Sequence, residues 1–129
     1  MKVKINTKEI FHVIRLNETD LSANMTEELG VQLLTFMQKE IKNVVLNLED
    51  IRSVEDAAAE TLVNLQQKFY EANSSFVICG LRPEIEQQLD SSGLLELMNI
   101  TPTESEAWDI VQMEEIEREL LNEEEGDKS

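Results

Sequence analysis

The chain has 129 residues, 41% hydrophobic and 29% charged, which fits a single domain with its own core. Its 27 acidic and 11 basic residues leave a net charge of −16. That balance excludes nucleic acid and an anionic membrane surface as partners, since both demand cationic patches, and it favours a protein partner with a basic surface.

No uninterrupted apolar stretch is long enough to span a bilayer, and the opening MKVKINTKEIF has no apolar signal region. A cytoplasmic location without membrane insertion is therefore expected. VKINT and EIFHVIRL read as two strands joined by a short turn, the second apolar on both faces. The lone His12 in that strand has no acidic or cysteine partner at ligand spacing, so no metal or catalytic role is assigned to it. NETDLSANMTEELG is polar and carries helix-start chemistry. Asn24 with Glu27 three residues on fits an N-cap pair, and Leu29, Leu33, Phe36 and Met37 follow at helical spacing.

VVLNLEDI is the strongest strand, β-branched and nearly continuous, as expected where both faces are covered. A helix from about Asp56 to Ala72 follows. SFVICGL is a second buried strand, and its Cys79 reads as an inert core thiol. RPEIEQQLDSSGL reads as a short helix with proline in its first turn and Gly93 as its stop. LELMNI is expected to give a short last strand. In TPTESEAW, Thr101 as cap, Pro102 next and Glu104 at the third position predict the start of the last helix. Its apolar positions Trp108, Val111, Met113, Ile116 and Leu120, with Leu121 beside them, predict that the whole stripe packs, on its own domain or on another chain. The order β-β-α-β-α-β-α-(β)-α implies an α/β fold with parallel crossovers and a leading hairpin. The expected division is a domain over residues 1–121 and an acidic, disordered tail over 122–129.

The turn SVEDAAAETLVNL, residues 53–65, is where function is sought, because strand-to-helix turns of α/β domains favour it. Leu62, Leu65 and Phe69 define the buried stripe of the helix, and Ala58 joins it. Ala59 borders the stripe. Ala57 falls with Glu60, Thr61, Asn64, Lys68 and Glu71 on the polar face, beside Asp56 in the first turn. A first turn with free N–H groups suits an anion, yet Ala57 offers only a small apolar bump. Asp56 and Glu55 also serve the helix start itself, where a carboxylate contributes about 0.5–2 kcal/mol.

With these residues in place, the sequence resembles the STAS domain, the fold of bacterial anti-sigma factor antagonists. The resemblance covers about residues 3–113. Its carriers are the strand–turn–helix at 44–65, GLRPEIEQQL, SGLLELMNI, and NETD at 17–20 in the place of a Gly-Glu-Leu-Asp-like stretch. No single motif is diagnostic; their order together is fairly specific. It implies one STAS-like domain with a mixed, mostly parallel sheet of 4–5 strands and about four helices. In switchable members the turn reads Asp-Ser-Ser-Gly, and a partner that is both kinase and anti-sigma factor modifies the serine after the aspartate. Here Asp56 is kept, Ala57 stands at that serine, Ala58 at the second serine and Ala59 at the glycine, so no phosphorylation is expected in the turn. The DSSG at Asp90–Gly93 ends a later helix and is read as helix termination, with no regulatory role for Ser91 or Ser92.

The resemblance implies a protein-binding regulatory module that docks a switch-kinase or anti-sigma-type partner through residues 54–61. The partner-binding residues are Asp20, Glu55, Asp56, Ala57, Ala58, Glu60 and Thr61. The alternative is a structural or adaptor subunit of an ABC-type lipid transporter or a sensory assembly. Homodimerisation is open in either case. No serine–histidine–acid set, metal cluster or glycine-rich phosphate loop is present, so the reading is not an enzyme, with no cofactor and no metal.

Overall fold

The computed structural model describes the backbone of residues 1–127 and the side chains of residues 1–121. β1 (Val3–Thr7) and β2 (Phe11–Leu16) form the expected antiparallel hairpin, with Val3 opposite Leu16 and Thr7 opposite His12. β2 then pairs in parallel with β4 (Asn43–Asn47), β4 with β6 (Phe76–Cys79), and β6 with β7 (Ile100–Thr101). The five-stranded sheet thus runs β1-β2-β4-β6-β7, antiparallel only at the β1–β2 edge. Two short strands, β3 (Asp20–Leu21) and β5 (Ser53–Val54), pair in parallel as a separate two-stranded sheet. The four helices are α1 (Ala23–Phe36), α2 (Asp56–Glu71), α3 (Pro83–Ser91) and α4 (Glu104–Asp127). Lys128 and Ser129, the end of the expected tail, lie outside the described residues. No helix among the described residues is long and apolar enough to cross a membrane.

Alternation along β4 divides its side chains between two cores. Val44 and Leu46 join a large cluster with Leu29, Leu33 and Phe36 of α1, Leu62, Leu65 and Phe69 of α2, and Ile85 and Leu89 of α3. Val45 faces the other way, into a smaller cluster with Phe11, Val13, Val77, Cys79 and the α4 residues Ala107 and Val111. His12 belongs to the first face, stacked on Phe36 with ring centroids 4.2 Å apart. Its Nε2–H donates to the Ile41 carbonyl (3.1 Å), which leaves Nδ1 to accept from the Thr7 hydroxyl (2.9 Å). Both ring nitrogens are bonded in the neutral form, and burial lowers the pKa. Cys79 is fully buried, and burial pushes its thiol up to about 12.

Several element boundaries differ from expectation. α1 is capped by Ser22, whose Oγ accepts from Met25 N (3.2 Å), not by Asn24. β4 stops at Asn47; Leu48 and Ile51 are still fully buried, but in a tight turn closed by the Ile51 N–H to the Leu48 carbonyl. An unbroken apolar run reports burial, and a strand is only one way to achieve it. Leu95–Leu97 forms a 3₁₀ turn, and the last strand is Ile100–Thr101, which shares only Ile100 with LELMNI. The cap of α4 is Thr103, not Thr101. Its Oγ1 accepts from Glu106 N and bonds the Glu106 carboxylate, both at 3.2 Å. TPTESE holds two Thr-x-x-Glu frames, and Thr101 is occupied in β7.

The packing of α4 is also corrected. Its buried residues are Ala107 and Val111, with Trp108 against Phe11 at 5.4 Å between ring centroids. The two asparagines of β4 hold the first half of α4: Asn47 Nδ2 donates to Glu104 (3.4 Å) and Asn43 Nδ2 to Glu115 (3.0 Å). Asn43 to Asn47 spans ~13 Å of strand, and Glu104 to Glu115 spans ~16 Å of helix. Met113, Ile116 and Leu120 lie about 140–200° round the helix from the buried Val111, on the side away from the sheet. Arg118 closes the contact, donating to Glu115 (2.9 Å), Ser75 (2.9 Å) and Asn43 (3.2 Å). Met113, Ile116, Leu120 and Leu121 remain 59%, 56%, 55% and 58% exposed, so they do not pack on their own domain.

Candidate functional site

The turn at the start of α2 is held by the small β3–β5 sheet. Arg52 and Ser53 both donate backbone N–H bonds to the Thr19 carbonyl (2.7 and 3.2 Å), and Glu55 N donates to the Leu21 carbonyl (3.0 Å). This register sets Asp20 beside Ser53, whose hydroxyl bonds the Asp20 carboxylate. Asp20, named from the NETD segment, thus lies on the strand adjoining the turn.

Glu55 is the N-cap residue of α2 but makes no side-chain cap there. Its carboxylate instead accepts from Ala23 N (3.0 Å) at the first residue of α1. Asp56, the first residue of α2, accepts from Gln88 Nε2 (3.3 Å), and the same amide donates to the Val54 carbonyl (2.8 Å). Three helices are tied together at this turn: α1 through Glu55, α2 by its own first turn, and α3 through Gln88. Neither Gln88 nor Ser53 was singled out from sequence. Gln88 adjoins the buried pair Ile85 and Leu89, which marks it as a residue on the border of the packed face, though the spacing does not name its partner.

The alanines divide as the helical phasing predicts at two positions. Ala57 is exposed and Ala58 fully buried. Ala59, expected at the border, is buried as completely as Ala58. Thr61 donates its hydroxyl to the Ala57 carbonyl (2.9 Å) and is partly buried, and Glu60 is exposed. The exposed residues of this turn are thus Glu55, Asp56, Ala57 and Glu60, and Asp20 is exposed on the strand paired with Ser53. Ala58 supports the turn from below. Beside it, Asn17, Glu18, Thr19, Asp50, Arg52 and Arg82 line a groove of about 330 Å³.

The DSSG segment lies elsewhere. Ser92 N bonds the Gln88 carbonyl (3.1 Å), Leu94 N bonds the Leu89 carbonyl (2.9 Å), and Gly93 sits at φ +78°. This left-handed turn terminates α3, and glycine takes it without strain.

Comparison with known proteins agrees with this architecture. A candidate anti-sigma factor antagonist from Thermotoga maritima superposes with a TM-score of 0.75 at 18% identity, over 85% of this chain and 94% of that one. The anti-sigma factor antagonist SpoIIAA in its unphosphorylated form gives 0.68 at 18% identity, over 86% and 96%. A serine-to-glutamate variant of Moorella thermoacetica RsbS gives 0.72 at 19% identity, over 87% and 96%. The family model of the STAS domain matches residues 2–107, and the chain belongs to the STAS domain family.

Proposed function

We propose that this chain is a regulatory protein-binding module of the anti-sigma factor antagonist type, which docks a switch-kinase or anti-sigma-type partner through residues 54–61 and Asp20. The observation that carries the reading is Ala57: an exposed methyl at the first turn of α2, between the carboxylates of Asp56 and Glu60. A methyl permits close approach of a partner backbone, and the surrounding acids select a basic surface. Glu55 and Asp56 carry the contact while also fixing α1 and α3, so the surface is preformed. SpoIIAA has been solved both unphosphorylated and phosphorylated. In this chain Ala57 has no hydroxyl to modify, so the module is constitutively competent at this turn or controlled elsewhere. Its work is binding, not catalysis.

The test is Ala57→Glu with a purified switch-kinase partner encoded in the source genome. The variant keeps its fold, since exposed substitutions stay within about 0.5 kcal/mol, and loses binding through bulk and charge. Equal binding by variant and wild type would remove the turn from the interface. Incubation of the wild type with that kinase and ATP leaves the turn unmodified, and specific phosphate on Ser91 or Ser92 would make the DSSG segment the switch. A second reading, an adaptor STAS subunit, draws on one observation. The chain also superposes on the murine anion transporter Slc26a9, with a TM-score of 0.67 at 9% identity, over 84% of this chain and 18% of that one.

A further inference from the structure

One side of α4 packs on the sheet through Ala107 and Val111, and the opposite side also carries apolar residues. Met113, Ile116, Leu120 and Leu121 are four of the eight large hydrophobic side chains that are exposed among the described residues, and all lie on this one helix. Scattered apolar residues on a surface need no explanation, but Met113, Ile116 and Leu120 recur at three- and four-residue spacing and so share one side of the helix, with Leu121 next to Leu120. The stripe is flanked by Glu117 and Glu119. The cation of this segment, Arg118, is already committed to Glu115, Asn43 and Ser75.

We propose that this outward side of α4 over residues 113–121 is a second docking surface, and that its occupant is a protein segment with an apolar face bordered by lysine or arginine. Charge decides the occupant. A second copy would bring the same acidic flanks, and another net charge of −16, against the stripe. An anionic lipid surface is repelled in the same way. A basic-rimmed groove or helix satisfies both the apolar side chains and the glutamates, which is helix-in-groove recognition. The surface is separate from the turn at Ala57. α4 and α2 lie on opposite faces of the sheet, and Arg118 binds at Asn43, where β4 begins, whereas the α2 turn follows the end at which β4 stops. One molecule can hold two proteins at once.

The probe is a synthetic helical peptide with leucines along one side and lysines on their flanks, titrated calorimetrically into the full chain at about 0.15 M salt, where long-range attraction is screened. Wild type binds it. Ile116→Gln combined with Leu120→Gln, which keeps the charge, weakens binding at least about tenfold, and so does replacing the peptide's lysines by glutamate. Ala57→Glu leaves peptide binding unchanged. Equal binding by the double glutamine variant would reduce the effect to the general field of the chain and overturn the proposal. Equal binding of the glutamate-flanked peptide would overturn the charge selection. Light scattering and thermal melting complete the test. A wild-type dimer that the double variant converts to monomer would show that a second copy covers the stripe. A large drop in melting temperature would place these side chains in the domain's own core. Either result ends the proposal.

Discussion

One face of the sheet carries three helices and the other carries one. The first is filled by leucine, isoleucine and phenylalanine from α1, α2 and α3, with Phe69 against Phe76 at 5.1 Å between ring centroids. The second is a smaller cluster of Val13, Val45, Val77, Cys79, Ala107 and Val111, with Phe11 against Trp108. What the thin face lacks in apolar volume it offsets with polar clamps: Asn47 to Glu104, Asn43 to Glu115 and Arg118, and the Tyr70 hydroxyl donating to Glu114 (2.8 Å). A thick layer holds its helices by bulk, and a thin layer holds its helix at defined points. On the thin face one side of α4 stays bare, with Met113, Ile116 and Leu120 exposed.

Mutations separate the two modes. Phe69→Ala removes a fully buried ring from the thick face and should cost roughly 3–5 kcal/mol in chemical denaturation. Val111→Ala on the thin face removes two methyl groups from a fully buried site and should cost roughly 1.5–3 kcal/mol. A Val111 effect as large as that of Phe69 would break the contrast. Ser22→Ala and Thr103→Ala delete the caps of α1 and α4, and each should cost about 1 kcal/mol. If caps matter more where packing is thin, Thr103→Ala will be the larger of the two.

The smallest effects are those of pH, and each face has its own titrating group. Burial lowers the His12 pKa below 6.5 on the thick face. The Arg118 hydrogen bond lowers the Glu115 pKa below 4.5 on the thin face, against burial, with Asn43 helping. Both folded pKa values are depressed, so both groups contribute stability above their unfolded values and lose it as pH falls through the folded ones. Melting temperature should therefore begin to fall below about pH 6.5 through His12 and fall further below about pH 4.5 through Glu115. His12→Phe should remove the upper part of that slope, and Glu115→Gln the lower part. A profile unchanged by His12→Phe would mean the ring titrates alike in folded and unfolded chains.

The elements that define the fold were legible because their residues carry a period. Alternation in FHVIRL, the β-branched run NVVLN and the stripe Leu62, Leu65, Phe69 sufficed for the hairpin, the central strand and α2, and the same phasing exposed Ala57. Two kinds of feature were not legible. Frames that repeat, such as the paired Thr-x-x-Glu of TPTESE, leave the choice of cap to the strand that occupies Thr101. Contacts far apart in sequence, such as Gln88 to Asp56 or Glu55 to Ala23, rest on tertiary placement that no local pattern encodes. The stripe of α4 was read as one packed surface running on from Val111. Met113, Ile116 and Leu120 in fact stand about 140–200° round the helix from Val111, on the side away from the sheet, so two different sides of the helix were read as one.

The order β1-β2-β4-β6-β7 has a consequence for how these molecules behave when crowded. Its two open edges are unequal: β7 is only two residues long, while β1 offers five, with Ile5 49% exposed. Strand addition, the route to fibrils, therefore has one usable side. That side carries Lys4 within β1 and Lys2 and Lys8 at its ends, three of the 11 cations of the chain. A second β1 laid along the first in parallel register would bring lysine against lysine, so these three lysines stand where they keep its sheets from joining.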